Sequence, residues 1–161
     1  MPIKVGEKIP QATFMVFSAD GPTPLTSDAL ASGKTVALSA LPGAFTPTCS
    51  AKHLPGYKAH VADLKAKGVD TIACLSVNDV FVMNAWGKNQ EVGKSILMLA
   101  DGNCDFTRAA GLDFDASKFG MGQRSQRYSM LIKDGMVSLL NVEQPGAFEV
   151  SSAEYLLGQL G

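Results

Sequence analysis

The sequence predicts an α/β fold, a mixed central sheet with helices on both faces. Three features predict it. Thr35 to Leu41, Val69 to Val77 and Ser95 to Ala100 are short apolar runs with the length and branched-residue content of buried strands. The segments that separate them repeat their apolar residues at helical spacing. The chain then closes on two strand-like runs, Tyr128 to Lys133 and Met136 to Val142, joined by Asp134-Gly135, a strong hairpin signal. Strands that alternate with helices and end in a hairpin imply this layered architecture.

In chain order, Thr13 to Ser18 reads as extended, and Gly21, Pro22 and Pro24 mark a surface turn after it. Pro42-Gly43 ends the run that begins at Thr35. Leu54, Tyr57, Val61 and Leu64 then predict a helix from near Pro47 to Lys67, stopped at Gly68. Pro55 should kink it, because the ring clashes with the carbonyl of Ala51. A second helix is expected from about Asp79 to Lys88, and a short helical patch from Phe106 to Ala110. The Gly-rich stretch through Gly122 reads as an irregular loop. Ser151-x-x-Glu154 is a capping box that opens a last helix carrying Leu156, Leu157 and Leu160.

The 161 residues suit one domain, 1–161, with no repeat or linker to divide them. Hydrophobic residues make up 46% and charged residues 18%, which disfavours disorder. Fourteen Lys plus Arg against fifteen Asp plus Glu leave a net charge of −1, so no broad basic field attracts nucleic acid or an anionic membrane. No apolar run approaches the roughly 20 residues of a membrane span. The opening MPIKVGEKIP has neither an apolar signal core nor transit-peptide character, which makes the cytoplasm the expected compartment. Cys49, Cys74 and Cys104 show no C-x-x-C or C-x-x-H spacing, which disfavours a disulfide scaffold and a metal site alike.

Cys49 stands out by position. It lies just past the carboxyl end of a predicted strand, where open α/β sheets bind ligands. Thr46 is a good N-cap and Pro47 suits the first helical position, so Cys49 falls in the first turn beside unpaired N–H groups. Such a site favours a thiolate, whereas the plain alternative is a small buried apolar residue. For any thiol, a lowered pKa raises the thiolate fraction but lowers intrinsic nucleophilicity, so the gain at neutral pH is only a few-fold. A fast thiol enzyme therefore needs donors aimed at the transition state. The Thr46 hydroxyl and the guanidinium groups of Arg124 or Arg127, just before the strand at Tyr128, are the available ones. Solvated surface positions are the alternative for both arginines.

The segment PGAFTPTCS, with Pro42, Thr46 and Cys49 in the pattern P-x-x-x-T/S-x-x-C, resembles the active-site segment of peroxiredoxins, in the wording of the type II or peroxiredoxin-five-like subfamily. CLSVNDVFVMNAWGK (74–88), LADG (99–102) and GMGQRSQRYSMLIKDG (120–135) extend the resemblance over nearly the whole chain. It implies a thioredoxin-like fold and a thiol-dependent peroxidase, with Cys49 attacking the terminal oxygen of a hydroperoxide to give a sulfenic acid. The arginine it selects is Arg127. It also implies that Thr46 and the Cys49 N–H bind the peroxide oxygens, that Pro42 shields the thiolate, that no metal or organic cofactor is needed, and that the loop holding Phe45 helps form a homodimer.

Some relatives carry a resolving cysteine near the carboxyl end, but PGAFEVSSAEY (145–155) has none. The expected reductants are therefore external thiols, glutathione with glutaredoxin first and thioredoxin second. Cys74, inside an apolar strand, reads as structural, although relatives reduced by glutaredoxin or glutathione often have a cysteine at the matching place. Cys104 follows a turn and reads as an exposed thiol. His53, four residues after Cys49, suggests a Cys-His pair but reads as an exposed helix histidine, and His60 has nothing beside it. Trp86 and Phe81 read as core or subunit contact. The rival from another class is a redox sensor or chaperone-like partner switched by Cys49 oxidation. A disulfide reductase is disfavoured, because Thr46-x-x-Cys49 stands where such enzymes have C-x-x-C.

Overall fold

The computed structural model describes residues 1–161. Its strands are β1 (Thr13–Ser18), β2 (Gly21–Thr26), β3 (Thr35–Ala40), β4 (Thr71–Ser76), β5 (Leu97–Ala100), β6 (Asp113–Asp115), β7 (Gln123–Ser125), β8 (Tyr128–Lys133) and β9 (Met136–Val142). Seven of them form one sheet in the order β2-β1-β5-β4-β3-β8-β9, with β3, β4 and β5 parallel and the outer strands antiparallel. The mixed sheet is as predicted. The helices are α1 (Ser27–Ala31), α2 (Leu54–Ala59), α3 (Val61–Ala66), α4 (Val80–Asn89), α5 (Asp105–Ala109) and α6 (Ala153–Gln159). No helix is long and apolar enough to cross a membrane.

Central strands bury both faces, so their residues alternate between two apolar layers. Ala37, Leu41, Ile72, Cys74 and Leu131 pack with Leu54 and Tyr57 of α2, Met83 and Trp86 of α4 and Leu156 of α6, and Cys49 belongs to this layer. Val36, Leu38, Ala73, Leu75 and Met130 pack on the other side with Phe14, Leu30 and Phe106, whose ring lies 5.1 Å from that of Phe14.

Several elements depart from expectation. Gly21 to Thr26 is an edge strand, not a turn. Pro22 and Pro24 are two residues apart, so their missing donors both fall on the open edge and cost no ladder bond. The segment from Pro47 to Lys67 is not one kinked helix. After two helical residues it widens into a π turn, Cys49–His53, in which the Leu54 N–H reaches the Cys49 carbonyl, and the real break is at His60, where φ is −110° and ψ is 19°. The wider turn lies directly ahead of Pro55, whose missing donor falls at the start of α2. The Gly-rich loop contains a small ribbon, β6 paired with β7, around a 3₁₀ turn at Ser117–Phe119.

The hairpin is as predicted, with Asp134 and Gly135 both at positive φ, as a type I′ turn requires. The last helix starts one residue later than its sequence signal. Ser152 caps it by accepting from the Tyr155 N–H at 3.1 Å, while the Ser151 hydroxyl is turned toward Glu143, to which it donates.

Candidate active site

β3 and β8 run antiparallel with Ala40 opposite Tyr128, so the loop leaving β3 and the residues entering β8 meet at one end of the sheet. That register brings residues 42–49 beside Arg124 and Arg127. Hydrogen bonds fasten the loop. The Ala44 N–H donates to Asn78 Oδ1 at 2.9 Å, and the same oxygen accepts from the Ser76 hydroxyl at 2.7 Å. Arg124 Nη1 donates to the Pro42 carbonyl at 3.3 Å, and its Nε to Met121 at 2.9 Å. Gly43 lets the loop lie close to these side chains, since a Cβ would sit 3.1 Å from both Arg124 Nη1 and Thr46 Cγ2 and push them back. Phe45 sits at a φ of 65° and is half exposed, tilted toward Trp86 with ring centres 6.5 Å apart.

Thr46 occupies the N-cap place, since its carbonyl accepts the first helical bond, from Ser50 at 3.0 Å. Its hydroxyl does not cap. It donates to the Gly43 carbonyl at 2.6 Å and leaves the Thr48 and Cys49 N–H groups without an acceptor in the chain. Thr46 and Pro42 are thus fixed in the loop over the helix start, one by Gly43 and the other by Arg124.

Cys49 has no solvent exposure, and it shares a layer with Leu41, Leu54 and Trp86. Its sulfur nevertheless meets a cation. Arg127 Nη2 donates to Sγ at 3.2 Å. The only ion pairs in the chain join His60 to Asp63 and Glu154, so no carboxylate neutralises Arg127. Because a guanidinium keeps its proton in proteins, this charge is permanent, and one of its arms is spent directly on the Cys49 sulfur.

The other arm of the guanidinium corrects the sequence reading of His53. This residue is fully buried, not exposed, and Arg127 Nη1 donates to its Nδ1 at 2.9 Å. With Nδ1 accepting, the ring proton sits on Nε2, which donates to the Ser151 carbonyl at 3.1 Å. Burial and then the adjacent guanidinium lower the His53 pKa to about 3, so the ring is neutral. The i, i+4 spacing from Cys49 carries the signal, but it does not show that the ring accepts from an arginine 74 residues away. His60 also has partners, Asp63 at 2.9 Å and Glu154 at 3.0 Å.

Behind His53 lie contacts that the sequence did not announce. The Ser151 carbonyl also accepts from the Tyr57 hydroxyl at 3.0 Å. Glu143 is buried, and its Oε2 takes the N–H groups of Glu149, Val150 and Ser151 and the Ser151 hydroxyl, all between 2.7 and 2.8 Å. Burial works against the charge of this carboxylate, but the Ser151 hydroxyl and the three N–H groups outweigh it and hold its pKa below the ordinary value. The Phe148 ring lies 5.2 Å from His53 and 5.9 Å from the Arg127 guanidinium.

The remaining thiols are placed differently. Cys74 is buried in β4, where loss of solvent pushes its pKa up to about 12 and keeps it a thiol. Cys104 is buried, not exposed, and sits at a φ of 63° ahead of α5. Trp86 is a core residue whose Nε1 donates to the Ser50 hydroxyl at 3.0 Å, bracing the residue after Cys49. Phe81, on the same helix, is 65% exposed.

A family model described as Redoxin matches residues 4–157. The chain is 50% identical to Peroxiredoxin-2E-2, chloroplastic, of Oryza sativa subsp. japonica, over 98% of this chain and 72% of that protein. It is 46% identical to Peroxiredoxin-2B of Arabidopsis thaliana, over 99% of each. Among solved structures, reduced Prx3 of Vibrio vulnificus in complex with hydrogen peroxide matches with a TM-score of 0.95 at 52% identity, over 99% of each chain.

Proposed function

The chain belongs to the Redoxin family and is a peroxiredoxin, a thiol-dependent peroxidase of the thioredoxin-like superfamily, and we propose that Cys49 is its peroxidatic residue. One observation carries the assignment. The Cys49 sulfur receives a hydrogen bond from a guanidinium that has no carboxylate partner.

In the reaction the sulfur attacks the terminal oxygen of a hydroperoxide. A sulfur–oxygen bond forms, the oxygen–oxygen bond breaks, and two electrons pass from sulfur to the peroxide. The leaving oxygen takes up the proton that the thiol gave up on ionising and departs as water or an alcohol. Arg127 stabilises the negative charge as it moves from sulfur toward the oxygens, in a site closed to bulk water. The free Cys49 N–H is a second donor, and Thr46 Oγ1 is an acceptor for the peroxide hydrogen, since its own proton goes to Gly43. Pro42, half buried and tied by Arg124, roofs the thiolate. The Vibrio vulnificus relative binds hydrogen peroxide, which supports the same substrate class here. Sulfur supplies the electrons, so the chemistry needs no metal or organic cofactor.

We assign resolution to external thiols. One thiol condenses with the sulfenic acid to a mixed disulfide and water, and a second releases Cys49 as a thiol. Both Cys74, high in pKa inside a strand, and the buried Cys104 are poor resolving groups, which favours an external thiol, for which we take glutathione with glutaredoxin first and thioredoxin second. The exposed Phe45 and Phe81 suit a homodimer contact.

The test is peroxide consumption with each reductant system in excess. Wild type should turn over repeatedly and Cys49→Ser should not, while the Cys74→Ser, Cys104→Ser double variant keeps its rate with glutathione and glutaredoxin. Consumption of about one peroxide per thiol would instead indicate a sensor. Loss of turnover in the double variant would place the resolving step on the chain.

A further inference from the structure

We infer that Glu143, some way from the sulfur, is a positioning residue for the peroxide-reducing step, closing a ring of contacts that sets the direction of the Arg127 guanidinium. The ring can be followed bond by bond. Val142 pairs with Tyr128, and the ladder extends one residue further, where the Glu143 N–H donates to the Arg127 carbonyl at 2.9 Å. Glu143 therefore fixes the Arg127 backbone. Its carboxylate meanwhile gathers residues 149–151, which belong to no helix or strand, by accepting three backbone N–H groups and one hydroxyl on a single oxygen. The gathered segment presents the Ser151 carbonyl to His53 Nε2, and His53 Nδ1 receives Arg127 Nη1. Both the backbone and one arm of the guanidinium are thus referred to the same glutamate, and the free arm points at Cys49 Sγ.

Physical chemistry makes this a functional arrangement as well as a structural one. An arginine side chain has many rotamers, and a charged donor is useful to a transition state only if its direction is fixed beforehand. No carboxylate holds Arg127 directly, and one in that place would compete with the sulfur for its charge. A neutral imidazole orients the guanidinium without neutralising it. The negative charge that organises the assembly is kept one residue shell away, spent on backbone amides at Glu143.

The inference rests on Cys49 being peroxidatic, and the experiment separates the two. Glu143→Asp withdraws the carboxylate by one methylene. Glu143→Gln, which guards against a folding defect, leaves an acceptor oxygen in reach of the loop. For each folded variant three quantities are read, namely amide hydrogen exchange at 149–151, the pH midpoint of Cys49 alkylation, and the second-order rate with hydrogen peroxide. In Glu143→Asp the amides should lose protection, the alkylation midpoint should move to higher pH, and the peroxide rate should fall about tenfold or more. In Glu143→Gln, which keeps an acceptor at full reach, all three should stay closer to wild type than in Glu143→Asp. A variant with loosened amides but a wild-type alkylation profile and peroxide rate overturns the inference, as does full amide protection in Glu143→Asp. Either result alongside an inactive Cys49→Ser leaves the peroxidatic reading intact, whereas an active Cys49→Ser removes that reading itself.

Discussion

Thr46 shows how one hydrogen bond restricts a residue's chemistry. A threonine hydroxyl has one proton to give, and here it goes to the Gly43 carbonyl at 2.6 Å. Toward a substrate the oxygen then has only lone pairs, which suit the O–H of a hydroperoxide and not its anion. Thr46→Ser keeps both the bond to Gly43 and the acceptor, so its kcat/KM for hydrogen peroxide should stay within a few-fold of wild type. Thr46→Val keeps the shape and loses the oxygen, so kcat/KM should fall about 10²-fold, the usual effect of deleting one polar contact to a transition state. Stopped-flow peroxide kinetics at neutral pH separate the two. A Thr46→Val rate equal to wild type would reduce Thr46 to a loop residue. The other loop contacts show why the pattern from Pro42 to Cys49 was readable from sequence, since each residue type there meets a specific need. Gly43 makes room for Arg124, Pro47 starts a helix without a wasted donor, and Cys49 falls in the first turn.

At the scale of elements, local signals were legible wherever local forces decide. β1, β8, β9 and the turn at Asp134-Gly135 follow from short strand-like runs and from turn chemistry. Elements set by distant partners were not legible. The helix after Pro47 has helical periodicity throughout, but whether a turn closes as α or π, and where it breaks, depends on packing that period does not encode. The start of α6 is similar. Ser151 and Ser152 are equivalent as cap candidates until Glu143, eight residues away from Ser151, turns the Ser151 hydroxyl toward itself at 2.7 Å. The consequence is measurable. Ser152→Ala removes the bond to the Tyr155 N–H and should cost about 1 kcal/mol in urea unfolding while leaving peroxide kinetics unchanged. A stability equal to wild type would mean that the helix end is held by something other than its cap.

For the whole molecule, the buried groups around the site tie stability to pH in a way the near-zero net charge hides. His53 has a pKa of about 3 in the fold against 6.5 when free, so between those values the unfolded chain binds a proton that the folded chain refuses. Its effect is absent above about pH 6.5, and stability falls as pH drops below that, with a slope approaching about 1.4 kcal/mol per pH unit. Glu143 acts in the same direction but later. Its folded pKa lies below its free value of 4.5, so the stability it contributes is present above that pH and is lost as acid protonates it. His60 runs the other way. Asp63 raises its pKa, so its small, partly exposed contribution is present below 6.5 and lost as pH rises through the folded value. Urea titrations at fixed pH should therefore give a wild-type stability that declines from about pH 6.5 downward. His53→Gln, which takes up no proton in either state, should flatten the curve between about pH 6.5 and 4.5 and keep the steeper fall below it. If His53→Gln retained the wild-type slope in that upper window, the imidazole would have to be protonated in the fold. Nδ1 would then carry a hydrogen toward Arg127, and the contact at 2.9 Å that aims the guanidinium at sulfur would be a repulsion.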